Sequence, residues 1–100
     1  MPVYVDPLQR CIPNRRWCHE YACHLLPHDQ SPVSIEDLHA FAAKLGLKRC
    51  WFQTRSLPHY DLTSGKRRQA LQHGAVDLNT VESLRDAYGR LRRRERLYAR

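Results

Sequence analysis

Val3-Tyr4-Val5 begins the chain with β-branched and aromatic residues that favour extended backbone, and Asp6-Pro7 ends the run, which predicts a first strand over 3–5. Residues 7–33 contain Pro7, Pro13, Pro27 and Pro32, so no long element crosses them. Within that stretch Asn14 is placed to cap a short helix carrying Trp17, Tyr21 and Leu25 at spacings of four. Ser34 with Asp37 three positions on then resembles a capping box. Ile35, Leu38, Phe41, Ala42 and Leu45 follow at helical spacing and make one apolar face, and Gly46 stands where a C-terminal cap belongs. Arg49–Gln53 reads as a second strand broken by Ser56-Leu57-Pro58, 64–73 as a helix stopped by Gly74, and Ala75–Leu78 as a third strand. Asn79 and Glu82 open a last helix with Val81, Leu84, Tyr88 and Leu91 along one side.

Strands alternating with helices predict an α/β fold: a small single domain with about three, mostly parallel, strands and flanking helices, followed by a basic C-terminal helix. The expected division is a compact part over 1–80 and a helix over 81–100 that is part of it or appended to it. A chain of 100 residues supports one modest core. Hydrophobic residues at 42% and charged residues at 27% exclude a disordered or fibrous chain. The chain lacks an apolar run of membrane-spanning length and a signal-peptide pattern at its start, which leads to the expectation of a cytoplasmic protein without membrane partners. In that setting Cys11, Cys18, Cys23 and Cys50 are expected as free thiols, since their spacing fits no structural zinc pattern.

The net charge of +7 is uneven: residues 85–100 hold seven arginines against Asp86 and Glu95, so the rest of the chain carries only +2. The tail therefore suits either a solvated helix end or a polyanion such as nucleic acid. Its apolar stripe also offers a surface for pairing with a second copy, although it is short for a coiled coil.

In an open parallel sheet, ligands bind beyond the carboxyl ends of the strands. On that topology Asp6, His59, Tyr60, Asp61, Asp77 and Asn79 gather on one edge, with His24 and the Asn14-Arg15-Arg16-Trp17 stretch folded over it. His59 and Asp61, two apart in an extended segment, share a side and suit acid–base work or a divalent metal, with His24 as a further ligand. The alternative is a turn in which both residues bond only backbone. Thr63-Ser64-Gly65-Lys66-Arg67 opens a helix with free N–H groups and two cations, a pattern that suits phosphate or ordinary capping, and it lacks the Walker spacing. Trp17 is placed either in the core or where it stacks on a ring, and His39, on the flank of the helix stripe, points to the core margin or into the cleft.

Val3-Tyr4-Val5-Asp6, Asn14-Arg15-Arg16-Trp17, Cys23-His24-Leu25, Asp37 to Leu47, Trp51-Phe52-Gln53, Pro58-His59-Tyr60-Asp61-Leu62-Thr63 and Lys66 to Val76 together resemble the DUF4031 family of small bacterial and phage-borne proteins of uncharacterised function. The resemblance covers roughly residues 2–78 and implies that Asp6, His24, His39, His59 and Asp61 matter together. An aspartate usually follows the Cys-His-Leu element closely; here Leu26-Pro27-His28 precede Asp29, which is left out of the candidate set. The family implies no reaction or ligand.

The reading preferred from the sequence is a site that binds a phosphate-bearing ligand such as a nucleotide and that, if catalytic, hydrolyses it. Asp6, His24, His59 and Asp61 carry the chemistry, His24, His59 and Asp61 hold a divalent metal, and Asn14, Arg15, Trp17, His39, Tyr60, Lys66 and Arg67 bind the ligand. The alternatives are a nucleic-acid-binding module that uses the arginine-rich helix, and a phage-related protein-interaction module.

Overall fold

Alternation of side chains along the first strand decides the layering. In the computed structural model, which describes residues 1–98 and side chains as far as residue 92, β1 (Val3–Val5) turns Val3 and Val5 to one face and Tyr4 to the other. Val3 and Val5 join Cys23, Leu25, Tyr60 and Leu62 under α1 (Pro32–Lys44) and α2 (Ser64–Gln72). Tyr4 and Leu26 lie under α3 (Leu84–Tyr98), against Ala87 and Leu91. A sheet thus stands between two helices on one face and a third on the other. Fully buried side chains such as Leu25, Leu38, Leu62 and Leu91 each contribute about 1.5–3 kcal/mol through burial.

The sheet has five short strands and is mixed, where three mostly parallel strands were expected from the sequence. β3 (Tyr21–Pro27) is its centre. It pairs antiparallel with β1 and β2 (Gln9–Arg10) along one edge and with β4 (Tyr60–Leu62) along the other. Only β5 (Val76–Asp77) runs parallel to β1. The expected helix around Trp17, Tyr21 and Leu25 is therefore absent. Residues 21–27 are a central strand, and Cys23, Leu25 and Leu26 are buried because both faces of that strand are covered. Asn14 still supplies a cap, but to a single turn: its Oδ1 accepts from the backbone N–H of Arg16 and of Trp17 at 2.8 and 2.9 Å.

The second expected strand is also displaced. Arg49–Trp51 forms one 3₁₀ turn, and only Gln53 pairs, with His59, through two backbone bonds of 2.9 Å. The strand proper is β4, seven residues further on.

α1 and α2 are placed as the sequence predicts, with an offset at the first cap. Ser31, not Ser34, accepts the capping bond, and Pro32 takes the first turn, where no N–H is needed. Gly46 and Gly74, at φ +80° and +103°, end the two helices in the left-handed conformation. Each is followed by a residue whose N–H bonds back five positions, Leu47 to Ala42 and Ala75 to Ala70.

α3 begins at Leu84, later than the sequence suggests, because Leu78–Thr80 form a separate 3₁₀ turn. Its stripe packs on this chain's own sheet: Ala87 and Leu91 are fully buried, Leu84 and Tyr88 half-buried, and only Val81, before the helix, stands exposed. Arg90 is tied inward, donating to the His28 carbonyl and pairing with Glu82. The side chains of Arg93, Arg94, Arg96 and Arg100, which carry much of the tail's charge, lie outside the described residues. No described helix is long and apolar enough to cross a membrane.

Candidate metal centre

The register of three strands builds the site. His24 on β3 lies directly opposite Asp61 on β4. On its other side the β1 register, Val5 against Leu25, continues by one residue to Asp6, whose N–H bonds the His24 carbonyl at 3.2 Å. Directly paired residues share a face, so Asp6, His24 and Asp61 form one row across the sheet. It follows the apolar row of Tyr4 and Leu26 on the same face. Beyond Asp6 the register slips by one, Gln9 facing Ala22, which leaves Pro7 and Leu8 opposite Cys23 alone. This bulge sits where proline's missing N–H does least harm and ends the regular pairing at Asp6. His59, two residues before Asp61 and held by Gln53, joins the same face, and its ring meets that of His24 edge-on with centroids 4.6 Å apart.

Hydrogen bonds then fix which ring atoms face inward. Asp6, only 3% exposed, accepts from the His24 backbone N–H and from His24 Nδ1, both at 2.6 Å, and from the Tyr88 hydroxyl at 2.7 Å. Burial alone raises its pKa, but these donors outweigh it and hold the carboxyl below its ordinary value. The same bond to Asp6 raises the His24 pKa against the opposing effect of burial. Tyr88 is pushed up by burial and by the Asp6 charge. His59 Nδ1 meets the Leu57 carbonyl at 2.7 Å, and a carbonyl only accepts, so that nitrogen carries the proton.

Both imidazoles therefore have Nδ1 engaged and turn Nε2 toward Asp61. His59 Nε2 lies 3.5 Å and His24 Nε2 4.0 Å from Asp61 Oδ1, and one ligand atom from each of the three residues falls within 4.8 Å of the others. Asp61 is held below its ordinary pKa first by His59 and further by Gln53, whose Nε2 donates to Oδ2 at 2.6 Å. When both imidazoles are neutral the Nδ1 protons leave Nε2 bare, and three lone-pair donors then converge in an arrangement that suits a cation. A tetrahedral ion with bonds of about 2.1 Å separates its ligand atoms by about 3.4 Å, close to the His59–Asp61 spacing, with His24 Nε2 standing further out at 4.0 Å. The Asp6–His24 pair matches the carboxylate that orients a ligating histidine. Among the described residues this is the one group of histidine, cysteine and acidic side chains arranged to hold a metal.

Not every residue singled out in the sequence comes here. His39 and Tyr60 belong to the opposite face: His39 Nδ1 pairs with the Tyr60 hydroxyl at 2.7 Å, packed on Phe52 inside the α1 side of the core. Burial lowers the pKa of His39 and raises that of Tyr60. Arg67 is used internally, its Nε donating to the Asp6 carbonyl at 2.9 Å and its guanidinium lying 3.5 Å from Asp77, so it joins the ends of the parallel strands β1 and β5. Lys66 donates to the Leu45 carbonyl that ends α1, and Thr63 caps α2. Lys66 also reaches the wall of a cleft of about 790 Å³ that Asp61, Asn14 and Trp17 line, together with Arg16 rather than the exposed Arg15.

Three contributors carry little signal in the sequence. Tyr88 reads there as part of an apolar stripe, the Leu57 carbonyl has no side-chain signature, and Gln53 is recognisable only once its pairing with His59 is known.

No curated protein and no solved structure matches the chain. The family model described as "Protein of unknown function (DUF4031)" matches residues 3–93, through the whole site from Asp6 to Tyr88, and the chain belongs to that family.

Proposed function

We propose that this protein is a metal-dependent hydrolase of phosphate esters, with one divalent ion of the zinc class held by His24, His59 and Asp61. The observation that carries the reading is the convergence of two Nε2 atoms on one carboxylate oxygen, each imidazole fixed from behind at Nδ1, by Asp6 and by the Leu57 carbonyl. Two histidines and one carboxylate leave a coordination position open, the arrangement that lowers the pKa of a bound water to about 7. An ion held by His24, His59 and Asp61 would supply a water-derived nucleophile, whose new bond to phosphorus would replace the ester P–O bond while the leaving alkoxide takes a proton from solvent. The products are an alcohol and a phosphate with one ester bond fewer.

The same three ligands also suit iron sites that activate oxygen. Such chemistry needs its intermediates shielded from water. Here the His24 and Asp61 side chains are 39% and 33% exposed and Asp61 lines an open cleft, which suits a reaction whose second substrate is water.

The test is elemental analysis of the purified protein, followed by zinc titration and hydrolysis of bis(p-nitrophenyl) phosphate. One equivalent of zinc, lost together with turnover in His59→Ala and Asp61→Ala at little change in melting temperature, is the expected result. A protein that takes up no divalent ion, or that hydrolyses the ester equally well in both variants, refutes it.

A further inference from the structure

The cleft that opens at Asp61 has a composition of its own. Trp17 and Trp51, the chain's two tryptophans, both line it, along with Asn14, Arg16 and Lys66. Trp51 is 49% exposed on its 3₁₀ turn, with the Lys48 ammonium 5.6 Å from the ring centroid. Trp17 is held in place, its Nε1–H donating to the Tyr21 carbonyl at 3.3 Å. The exposed Trp51 contributes little to a core, and with the half-buried Trp17 in one groove beside Arg16 and Lys66 it offers a flat surface to a ligand that is both aromatic and anionic. Bases of single-stranded nucleic acid stack on such side chains while cations follow the backbone.

We infer that the cleft binds single-stranded nucleic acid, with successive bases on Trp17 and Trp51 and the intervening phosphates near Arg16, Lys48 and Lys66. Two features favour a strand over a free mononucleotide: there are two aromatic surfaces, and the volume of about 790 Å³ lies toward the upper end of the roughly 300–1,000 Å³ of small-ligand pockets. Asp61 belongs both to the cleft wall and to the candidate metal centre, so a strand lying in the groove brings a phosphodiester to that centre. The identity of the substrate thus rests on the hydrolase proposed above; the binding itself does not.

Because both tryptophans line this cleft, intrinsic fluorescence reports on it directly. The full chain, in buffer with EDTA, is titrated with thymidine monophosphate, with the thymidylyl dinucleotide, with a longer oligothymidylate and with a duplex of the same length. The proposal expects quenching by the single strands and a gain of about tenfold or more in affinity from mononucleotide to dinucleotide. It expects a loss of about tenfold in Trp51→Ala, read by anisotropy of a labelled strand, and recovery in Trp51→Phe. Trp51 lies outside the core, and an unchanged melting temperature verifies that each variant is folded. Equal binding of mononucleotide and dinucleotide, equal binding of duplex, or full affinity in Trp51→Ala overturns it. His59→Ala keeps strand affinity while losing zinc, so binding without metal uptake sinks the hydrolase alone, and metal uptake without binding sinks this inference alone.

Discussion

Asp6→Asn tests the link between fold and chemistry more sharply than removal of a ligand. In the native protein Asp6 Oδ1 accepts the His24 backbone N–H, and Oδ2 accepts both His24 Nδ1 and the Tyr88 hydroxyl. An asparagine cannot turn its amide nitrogen toward that backbone N–H, which only donates, so its oxygen stays there and its NH₂ takes the Oδ2 position. The group now facing Nδ1 is a donor; Nδ1 must accept, and the imidazole proton moves to Nε2, where it points at Asp61. The lone pair that would bind the metal is lost without a change in shape. Altered orienting partners of this kind cost about 10–100-fold in metal affinity, and a reversed tautomer places the expected loss at the upper end. Three charge-assisted bonds of about 1.5–3 kcal/mol each become neutral ones, offset by the relief of a buried charge, for a net destabilisation of about 2 kcal/mol. For a domain of this size that lowers Tm by roughly 8–16 °C. Zinc competition titration reads the affinity, and the imidazole ¹⁵N shifts read the tautomer. If Asp6→Asn binds zinc within threefold of the parent, or His24 still carries its proton on Nδ1, the reasoning fails.

Three further outcomes follow from the packing. Leu91→Ala, at a fully buried position between α3 and the sheet, is expected to cost about 3 kcal/mol in urea unfolding; a loss below about 1 kcal/mol would mean that the helix is not part of the core. His39 has a lowered pKa because it is buried, so the unfolded chain binds its proton first. Stability is therefore full above about pH 6.5 and falls as pH drops toward the folded pKa, and His39→Gln should flatten that acid limb of the Tm profile; an unchanged slope refutes it. The Cys23 thiol, pushed up to about 12 by burial, should resist a thiol reagent at pH 8 that labels exposed Cys18 and Cys50, and mass spectrometry showing equal labelling in the folded chain would contradict this.

What the sequence made legible is local, and what it concealed is pairing. α1 and α2 are readable because Gly46 and Gly74 end them in a conformation other residues avoid. Asp6, His24, His59 and Asp61 stand out by residue type, yet the route from residue type to proximity differs from the expected one. The parallel-sheet edge does not bring them together; antiparallel register does, placing Asp6, His24 and Asp61 side by side in a row. That register depends on β3, which spacing alone cannot tell from a helix, since Trp17, Tyr21 and Leu25 suit either and only contacts with β1 and β4 decide. Tyr60 is a different matter: the period of two that sets His59 and Asp61 on one side puts the residue between them on the other, where it is found against His39. Tyr88 lies 82 residues from Asp6, and no local pattern joins them.

A cluster of three acceptors is a poor way to stabilise a fold, and this gives the metal reading a test in the absence of any metal. Asp61 Oδ2 already accepts from Gln53, so Asp61→Asn keeps its oxygen there and turns its NH₂ toward His59 Nε2 and His24 Nε2, now 3.5 and 4.0 Å from Oδ1. Where the carboxylate repels two lone pairs, the amide donates to one of them. In metal-free protein at pH 9, with the imidazoles neutral, the substitution should leave stability unchanged or raise it by about 0.5–1 kcal/mol, the net value of one hydrogen bond in a site partly open to water. With zinc present the order reverses, because the parent gains RT ln(1 + [Zn]/Kd) from binding and the variant gains far less. A site built for its own hydrogen bonds makes the opposite forecast: Asp61 would then be a needed acceptor for a protonated imidazole, and Asp61→Asn would lower Tm with or without the ion. Thermal unfolding of both proteins, with EDTA and with zinc, separates the two, since only a site organised around an absent cation becomes no less stable when one of its ligands is neutralised.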